Sequence, residues 1–514
     1  MQSFIELIAR QPVSVQEAGA MDWLRAMESA LFPLLRAGRE DELAASLRTA
    51  CRHWPDSARL CWLLALVLRE AQAHELALPL AEQAAALSDD AQTRALLAQI
   101  RYESGHSAAA DFAAARAHSP DDESLIRSHA GALSAEGDGA QALALMAQTL
   151  TQRPGWIEGL NYRATLHRLL GAPGRDDSGF SQAVRAQPGN LALRLGWFHW
   201  LAKVRDWEAA RAVLSDAQAR WPDAPALTIA RLFLAAESGE ATAKPDLFDG
   251  VVEGGAGQND PGLSLARVRH ALRCGAPDKA EEIALQQLSG PAAGLFWPYL
   301  SICWRLLGDA RATWLDRPDD VIRSCTIDLD ADELVELATL LRTLHSAAAP
   351  YPDQSVRGGT QTDRPLLFRQ EPIMRCTRAA IEAAVRDYIA ALPPPEPGHP
   401  LLGPPRGEVK FAGSWSVRLS RQGHHAAHSH PAGWISSALH VALPDTQEMG
   451  EPPSGWLQFG TPPAELGIAL PPYRQIEPQV GRLVLFPSTL WHETLPFADG
   501  ERLSIAFDIR PPRR

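Results

Sequence analysis

Cysteine is scarce in this chain: six in 514 residues, with no C-x-x-C pair among them. Cys51, Cys61, Cys274, Cys303, Cys325 and Cys376 are widely scattered, which excludes a disulfide framework or a zinc knuckle and reads as reduced, mostly buried thiols. Long apolar runs are missing too, since no stretch approaches the roughly 20 residues of a membrane span. The opening MQSFIELIARQPVSVQEAGAMDWLRAM lacks the basic start and unbroken apolar run of a secretion signal, so a soluble cytoplasmic protein with no membrane partner is the expectation. Nor is there a basic excess. Lys and Arg number 49 against 61 Asp and Glu, a formal charge of -12, which gives no electrostatic ground for nucleic acid as a general partner. A Walker A sequence is absent, as is a G-x-G-x-x-G following a strand, so nothing calls for a nucleotide or flavin.

What the chain has is length and apolar content. With 46% hydrophobic residues it folds throughout, and 514 residues exceed one ordinary core, so several domains or a repeat array are expected. The 37 glycines and 40 prolines are too many for a purely helical protein. Some region must be rich in turns and extended chain.

Residues 1 to about 347 are rich in Ala, Leu, Arg and Glu with apolar residues at helical spacing, as in SARLCWLLALVLREAQ and WEAARAVLSDAQARW. Short breakers interrupt them: WPDS, LSDD, SPDD, RPGW, QPGN and WPDA. Pro120, Pro154, Pro188 and Pro222 follow one another at intervals of 34 residues. Gly105, Gly139, Gly171 and Gly239 mark intermediate points where the first helix of a pair would turn into the second. That period and turn chemistry predict a tetratricopeptide-like helical solenoid, with a looser stretch at 239–262. Such an array serves either as a scaffold or as a concave surface for a protein or peptide. Trp197, Trp200, Trp207 and Trp221 read as core between repeats.

From about 348 the texture changes. A polar segment (YPDQSVRGGTQTDRP), one amphipathic helix (IMRCTRAAIEAAVRDYIAAL) and a proline-rich connector fill 348–407. In 408–514, strand-like runs separated by Gly and Pro appear at 414–420, 434–443, 455–460, 481–487 and 502–510, which predict an antiparallel barrel or sandwich. The expected class is multidomain α + β, an all-α solenoid followed by a β-barrel.

Chemistry concentrates in HHAAHSHPAGW (424–434). Residues two apart on extended chain point the same way, so His428 and His430 can aim two imidazoles at one point. Such a pair is a borderline-soft site for iron, zinc, copper or nickel and needs a further ligand. His492, in LFPSTLWHETLPF, is the candidate. Ten residues on, Arg502 and Ser504 share one strand face, where a guanidinium and a hydroxyl can grip a carboxylate. The pattern asks for a small dicarboxylic co-substrate between metal and arginine.

On SWSVRL, the Gly423–Pro431 run, WISSALHVALP, GWLQFG and GRLVLFPSTLWHETLPF with RLSIAFD, the segment from about 410 to 510 resembles the Fe(II)- and 2-oxoglutarate-dependent oxygenases. It is similar in particular to a bacterial group often preceded by helical repeats, and QSVRGGTQT near 354 also looks like that group. The resemblance implies a double-stranded β-helix (jelly-roll, cupin-like) barrel in 408–514 and a ferrous iron held by His428, His430 and His492. It further implies 2-oxoglutarate bound through Arg502 and Ser504, and O2 consumed to hydroxylate a substrate with release of succinate and CO2. A protein, peptide or peptide-like substrate recruited by the solenoid is the first expectation, with a small metabolite, lipid or peptide natural-product precursor as the alternative.

One departure stands out. The usual middle ligand of this superfamily is Asp or Glu, and here it is His430. Three readings stand: a three-histidine site, an iron held by two histidines and water as in the aspartyl/asparaginyl hydroxylase branch, or an idle site for another metal. Rival functions are a non-enzymatic interaction protein with a degenerate barrel, or a three-histidine oxygenase that dispenses with 2-oxoglutarate. His440 either donates to 2-oxoglutarate or packs in the barrel. His424 and His425 read as solvated or supporting residues, Trp415, Trp434 and Trp491 as pocket roof or core, and Arg418 as facing either the cavity or solvent.

Overall fold

In the computed structural model the described residues are 1–12, 19–249 and 260–512; most of the second half of the looser stretch expected at 239–262 lies outside them. Helices Glu123–Ala135, Ile157–Leu169, Leu191–Lys203 and Pro225–Glu237 start three residues after the four registered prolines, and both their first and their last residues recur every 34 positions. Proline cannot sit inside a helix without losing a hydrogen bond, so each one ends the previous unit. The caps do the rest. Asp122 accepts the N–H groups of Ser124 and Leu125 at 2.8 and 3.1 Å, and Asn190, two periods later, accepts that of Leu193 at 3.3 Å.

The turn between the two helices of a pair needs one left-handed residue. Gly137, Gly171 and Gly239 adopt it, with φ of 94, 59 and 79°. Gly139, expected at this turn, opens the helix Gly139–Gln152 instead. At the same register, one period after Gly171, Arg205 takes φ 60° in place of glycine.

Among the described residues nine strands form two antiparallel sheets: β1 (Arg323–Thr326), β2 (Val356–Gln361), β3 (Phe411–His425), β4 (Ile435–Ala442), β5 (Leu457–Phe459), β6 (Arg474–Ile476), β7 (Arg482–Pro487), β8 (His492–Thr494) and β9 (Arg502–Ile509). The larger sheet runs β1-β7-β4-β9-β3-β2 and the smaller β6-β5-β8. This is the two-sheet sandwich of a double-stranded β-helix. The five strand-like runs of the sequence are β3, β4, β5, β7 and β9. The other four escape a reading by pattern because they are short or polar: β1 (RSCT) is exposed and held only by pairing with β7, and β2 (VRGGTQ) pairs with β3.

Register decides what faces inward. Ser436 pairs with Asp508 and His440 with Ser504 across β4 and β9, while Trp415, Val417 and Leu419 of β3 pair with Ala506, Ser504 and Arg502. A period of two therefore puts Arg502, Ser504, Ala506 and Asp508 on one face and leaves Leu503, Ile505, Phe507 and Ile509 buried on the other. Between the sheets Phe459 and Phe486 meet edge to face at 4.9 Å, in a cluster with Leu457, Val484 and Leu490.

The chain divides into two compact units, 1–148 with 364–378, and 149–363 with 379–512. Within the second, the helix Trp297–Leu307 seats the barrel. The indole of Trp491 donates to the carbonyl of Pro298 at 2.8 Å and meets the Tyr299 ring at 5.2 Å, in one core with Leu300 and Leu315. A Cβ on Gly294 would lie 2.1 Å from the carbonyl oxygen of Pro431, so only glycine lets this element close on the HSHP segment.

Candidate metal centre

The strand expected to carry His428 and His430 stops earlier, since β3 ends at His425. The two histidines sit on the extended stretch that follows. Its shape comes from backbone pairing: His428 and His492 exchange N–H···O bonds of 3.0 Å in both directions, and the His430 N–H donates to Ser488 O at 2.9 Å. This ties the loop to the turn between β7 and β8. Ligand nitrogens of His428, His430 and His492 all lie within 4.8 Å of one another.

Each ring is oriented through Nδ1. His428 Nδ1 donates to Ala426 O at 2.8 Å and His492 Nδ1 to Leu490 O at 3.0 Å. His430 Nδ1 meets a carboxylate, Asp508 Oδ1, at 2.6 Å. With Nδ1 committed, Nε2 carries the lone pair in all three, the tautomer a metal site requires. Burial, with the neighbouring histidines adding repulsion, holds His428 and His492 well below the usual imidazole range and keeps them neutral. Three convergent imidazoles, each with a fixed partner behind it, fit a first-row divalent ion.

The triad lines a cavity of about 380 Å³ whose walls include Gln361, Trp415, Arg502, Ser504 and Asp508. Arg502 is 2% exposed. Its guanidinium donates to Gly455 O at 2.6 Å and to His440 Nδ1 at 3.3 Å, and among the described residues no carboxylate pairs with it. Burial pulls it down to about 10, still charged at neutral pH. A buried cation without a counter-ion costs several kcal/mol, about the magnitude seen for broken buried ion pairs, so the cavity is built for an anion. His440 stands behind Arg502, buried, with Nε2 unpartnered among the described residues.

Sequence reasoning passed over three groups. Asp508 shares the face of Arg502 and Ser504, so alternation along β9 carried the signal. Ser436 Oγ donates to Asp508 Oδ1 at 2.6 Å and lies 2.8 Å from Ser488 Oγ, fixing the carboxylate. Ser355, inside QSVRGGTQT, has its hydroxyl 2.9 Å from His425 Nδ1 and 3.2 Å from His428 Nε2. His425 is thus a supporting residue, pushed down to about 3 by burial and nearby cationic groups, while His424 contacts only Gln422 O, at 3.1 Å. Of the tryptophans, Trp415 lines the cavity, and Trp434 and Trp491 are core. Arg418 faces away from the cavity, paired with Glu501 at 2.6 Å.

Residues 413–508 match the family model described as "Putative 2OG-Fe(II) oxygenase". Among solved structures, a Pseudomonas putida prolyl-4-hydroxylase is similar at 21% identity over 38% of this chain and 94% of that one, with a TM-score of 0.26. HygX from Streptomyces hygroscopicus, with nickel and 2-oxoglutarate bound, is similar at 14% over 38% and 84%, TM-score 0.27. YrrB, a TPR protein with an unusual peptide-binding site, is similar at 13% over 37% and 95%, TM-score 0.29. Among curated proteins none matches this chain.

Proposed function

From the family match of the barrel segment, we propose that this protein is an Fe(II)- and 2-oxoglutarate-dependent dioxygenase that hydroxylates a protein or peptide presented by the helical repeats. The observation carrying the proposal is the guanidinium of Arg502, which meets no carboxylate among the described residues and is buried in the same cavity as the three converging imidazoles. A carboxylate is the ligand that removes its cost. In this reading His428, His430 and His492 hold iron through Nε2, Arg502 and Ser504 take the distal carboxylate of 2-oxoglutarate, and His440 braces Arg502.

Iron with 2-oxoglutarate and O2 supplies the oxidising chemistry; the chain supplies position and exclusion of water. The backbone bridge between His428 and His492 sets the spacing of two ligands. Asp508 turns His430 toward the same point and lends it negative character, which offsets part of the charge lost with the missing carboxylate ligand. That favours the three-histidine reading over a histidine that stands off. Trp415, Ala438 and Leu457 supply the apolar part of the cavity wall around the target C–H bond.

The test is an anaerobic titration of metal-free protein with Fe(II) and then 2-oxoglutarate, read by the visible charge-transfer band of a chelated 2-keto acid. A band in the wild type that weakens in Arg502→Ala supports the proposal. Bound iron without a band overturns it and leaves a metal-stabilised interaction module.

A further inference from the structure

A second cavity, of about 630 Å³, opens on the repeats. Helix Leu191–Lys203 contributes His199 and Lys203, helix Pro225–Glu237 contributes Phe233 and Glu237, and helix Pro261–Arg273 contributes Arg269 and Arg273. His199 and Phe233 stand 34 residues apart, as do Lys203 and Glu237, so the wall is the same face of successive first helices. Trp207 and Glu465 complete it.

The groove is cationic in an acidic chain. Lys203, Arg205, Arg269 and Arg273 meet three carboxylates, Glu237 and Glu465 in the groove and Asp353 beyond it, while the protein carries -12. Arg205 Nη2 holds Glu465 at 2.7 Å and Arg269 Nη2 approaches it at 3.3 Å; Arg269 and Arg273 reach Glu237 at 3.2 and 3.6 Å. Arg205 makes its contact from the left-handed turn position that glycine holds in the neighbouring repeats, a strained conformation retained at a polar site. Among the described residues several groups remain unsatisfied: Arg269 Nε, Glu237 Oε1 and Ser238 Oγ are buried without hydrogen-bond partners there. An acidic side chain answers the net positive charge, and a backbone N–H answers Glu237 Oε1. One ligand offering both is a polypeptide, and Phe233 and Trp207 supply apolar surface for its other side chains.

The groove also leads somewhere. Lys203 Nζ lies 3.1 Å from Asp353 Oδ2, and Asp353 lines the cavity of the candidate metal centre. We propose that this groove binds an acidic stretch of the polypeptide substrate and leads the adjoining residue past Asp353 into the cavity, an inference that rests on the oxygenase reading above. The acid of the ligand displaces Asp353 from Lys203, which frees the entrance.

The experiment uses the full chain and a fluorescein-labelled dodecapeptide of alternating Glu and Ala, with the Lys/Ala peptide as counterpart, read by anisotropy. Wild type is expected to bind the acidic peptide and not the basic one, with affinity falling as salt rises. Lys203→Glu is expected to weaken binding by about tenfold or more, and the milder Lys203→Gln and Phe233→Ala to weaken it less. Equal binding of both peptides, no binding of the acidic one, or binding untouched by all three folded variants overturns the proposal. The iron and 2-oxoglutarate band of the wild type is recorded separately without peptide. Its presence with no peptide binding sinks the groove alone, and its absence sinks the oxygenase reading that the groove serves.

Discussion

The carboxylate of Asp508 lies 2.6 Å from Nδ1 of His430, and Ser436 Oγ donates to the same oxygen at 2.6 Å. The negative charge missing from the ligand set thus stands one bond further out, behind the imidazole. Asp508→Asn keeps the shape and removes the charge. Its metal affinity is expected to fall by about 10- to 100-fold, the usual cost of losing such a partner, with Asp508→Ala at least as severe. Competition of Fe(II) or Co(II) against a chelating indicator reads this without turnover. Unchanged affinity in Asp508→Asn would show that His430 needs no carboxylate behind it.

Arg502 makes two opposite predictions for one substitution. Removing a buried, uncompensated cation stabilises the metal-free fold, so Arg502→Met is expected to melt at or above the wild-type temperature. On the proposed function, the same variant is expected to lose the stabilisation that 2-oxoglutarate would confer, about 2.7 kcal/mol at a hundredfold excess over Kd. Thermal melts with and without the co-substrate separate the two effects. A variant that melts lower and still responds to 2-oxoglutarate contradicts both.

Asp316 is 4% exposed, receives Ser301 Oγ at 2.7 Å, and is raised to about 6 by burial. A carboxylic acid raised in the fold favours folding while protonated, below its unfolded value near 4, and becomes a liability as pH climbs through 6. At neutral pH the shift corresponds to about 3 kcal/mol of penalty at most. Asp316→Asn is expected to stabilise the protein at pH 7 and to make little difference near pH 4. Denaturant unfolding at both pH values checks the sign.

Trp491 precedes the candidate ligand His492 and is locked by its bond to Pro298 and by Tyr299. Trp491→Ala is expected to cost about 3–5 kcal/mol, the range for emptying a buried aromatic site. Metal affinity falls with it, because the turn that presents His492 loses its anchor. Trp491→Phe, which fills most of the space, should restore metal binding before it restores full stability. Chemical denaturation alongside the indicator titration distinguishes the two losses.

The repeats and the three histidines were legible because each is written in a short, local code. Four prolines 34 residues apart announce a repeat whatever the tertiary contacts, and H-x-H before Pro with a distant LWHETLP announces a ligand set. Strands β1, β2, β6 and β8 were not legible. RSCT and VRGGTQ have no apolar alternation of their own and become strands only because β7 and β3 offer them a paired edge. Asp508 lay in view within AFDIR, but a carboxylate on a strand is ordinary until register shows what it faces.

The sequence by itself determined the order of architectures, the period of the helices and the residue types at the candidate metal centre, because periodicity and turn chemistry act over a few residues and need no distant partner. Only tertiary structure decided the rest: that the loop after β3 pairs with the β7–β8 turn, that Asp508 backs His430, that Arg502 is buried with no counter-ion, and that Lys203 meets Asp353. Each of these depends on chain segments from about 60 to 150 residues apart being brought within hydrogen-bonding distance. Spacing along the chain does not encode that approach; burial, register and the packing of the barrel against helix Trp297–Leu307 do.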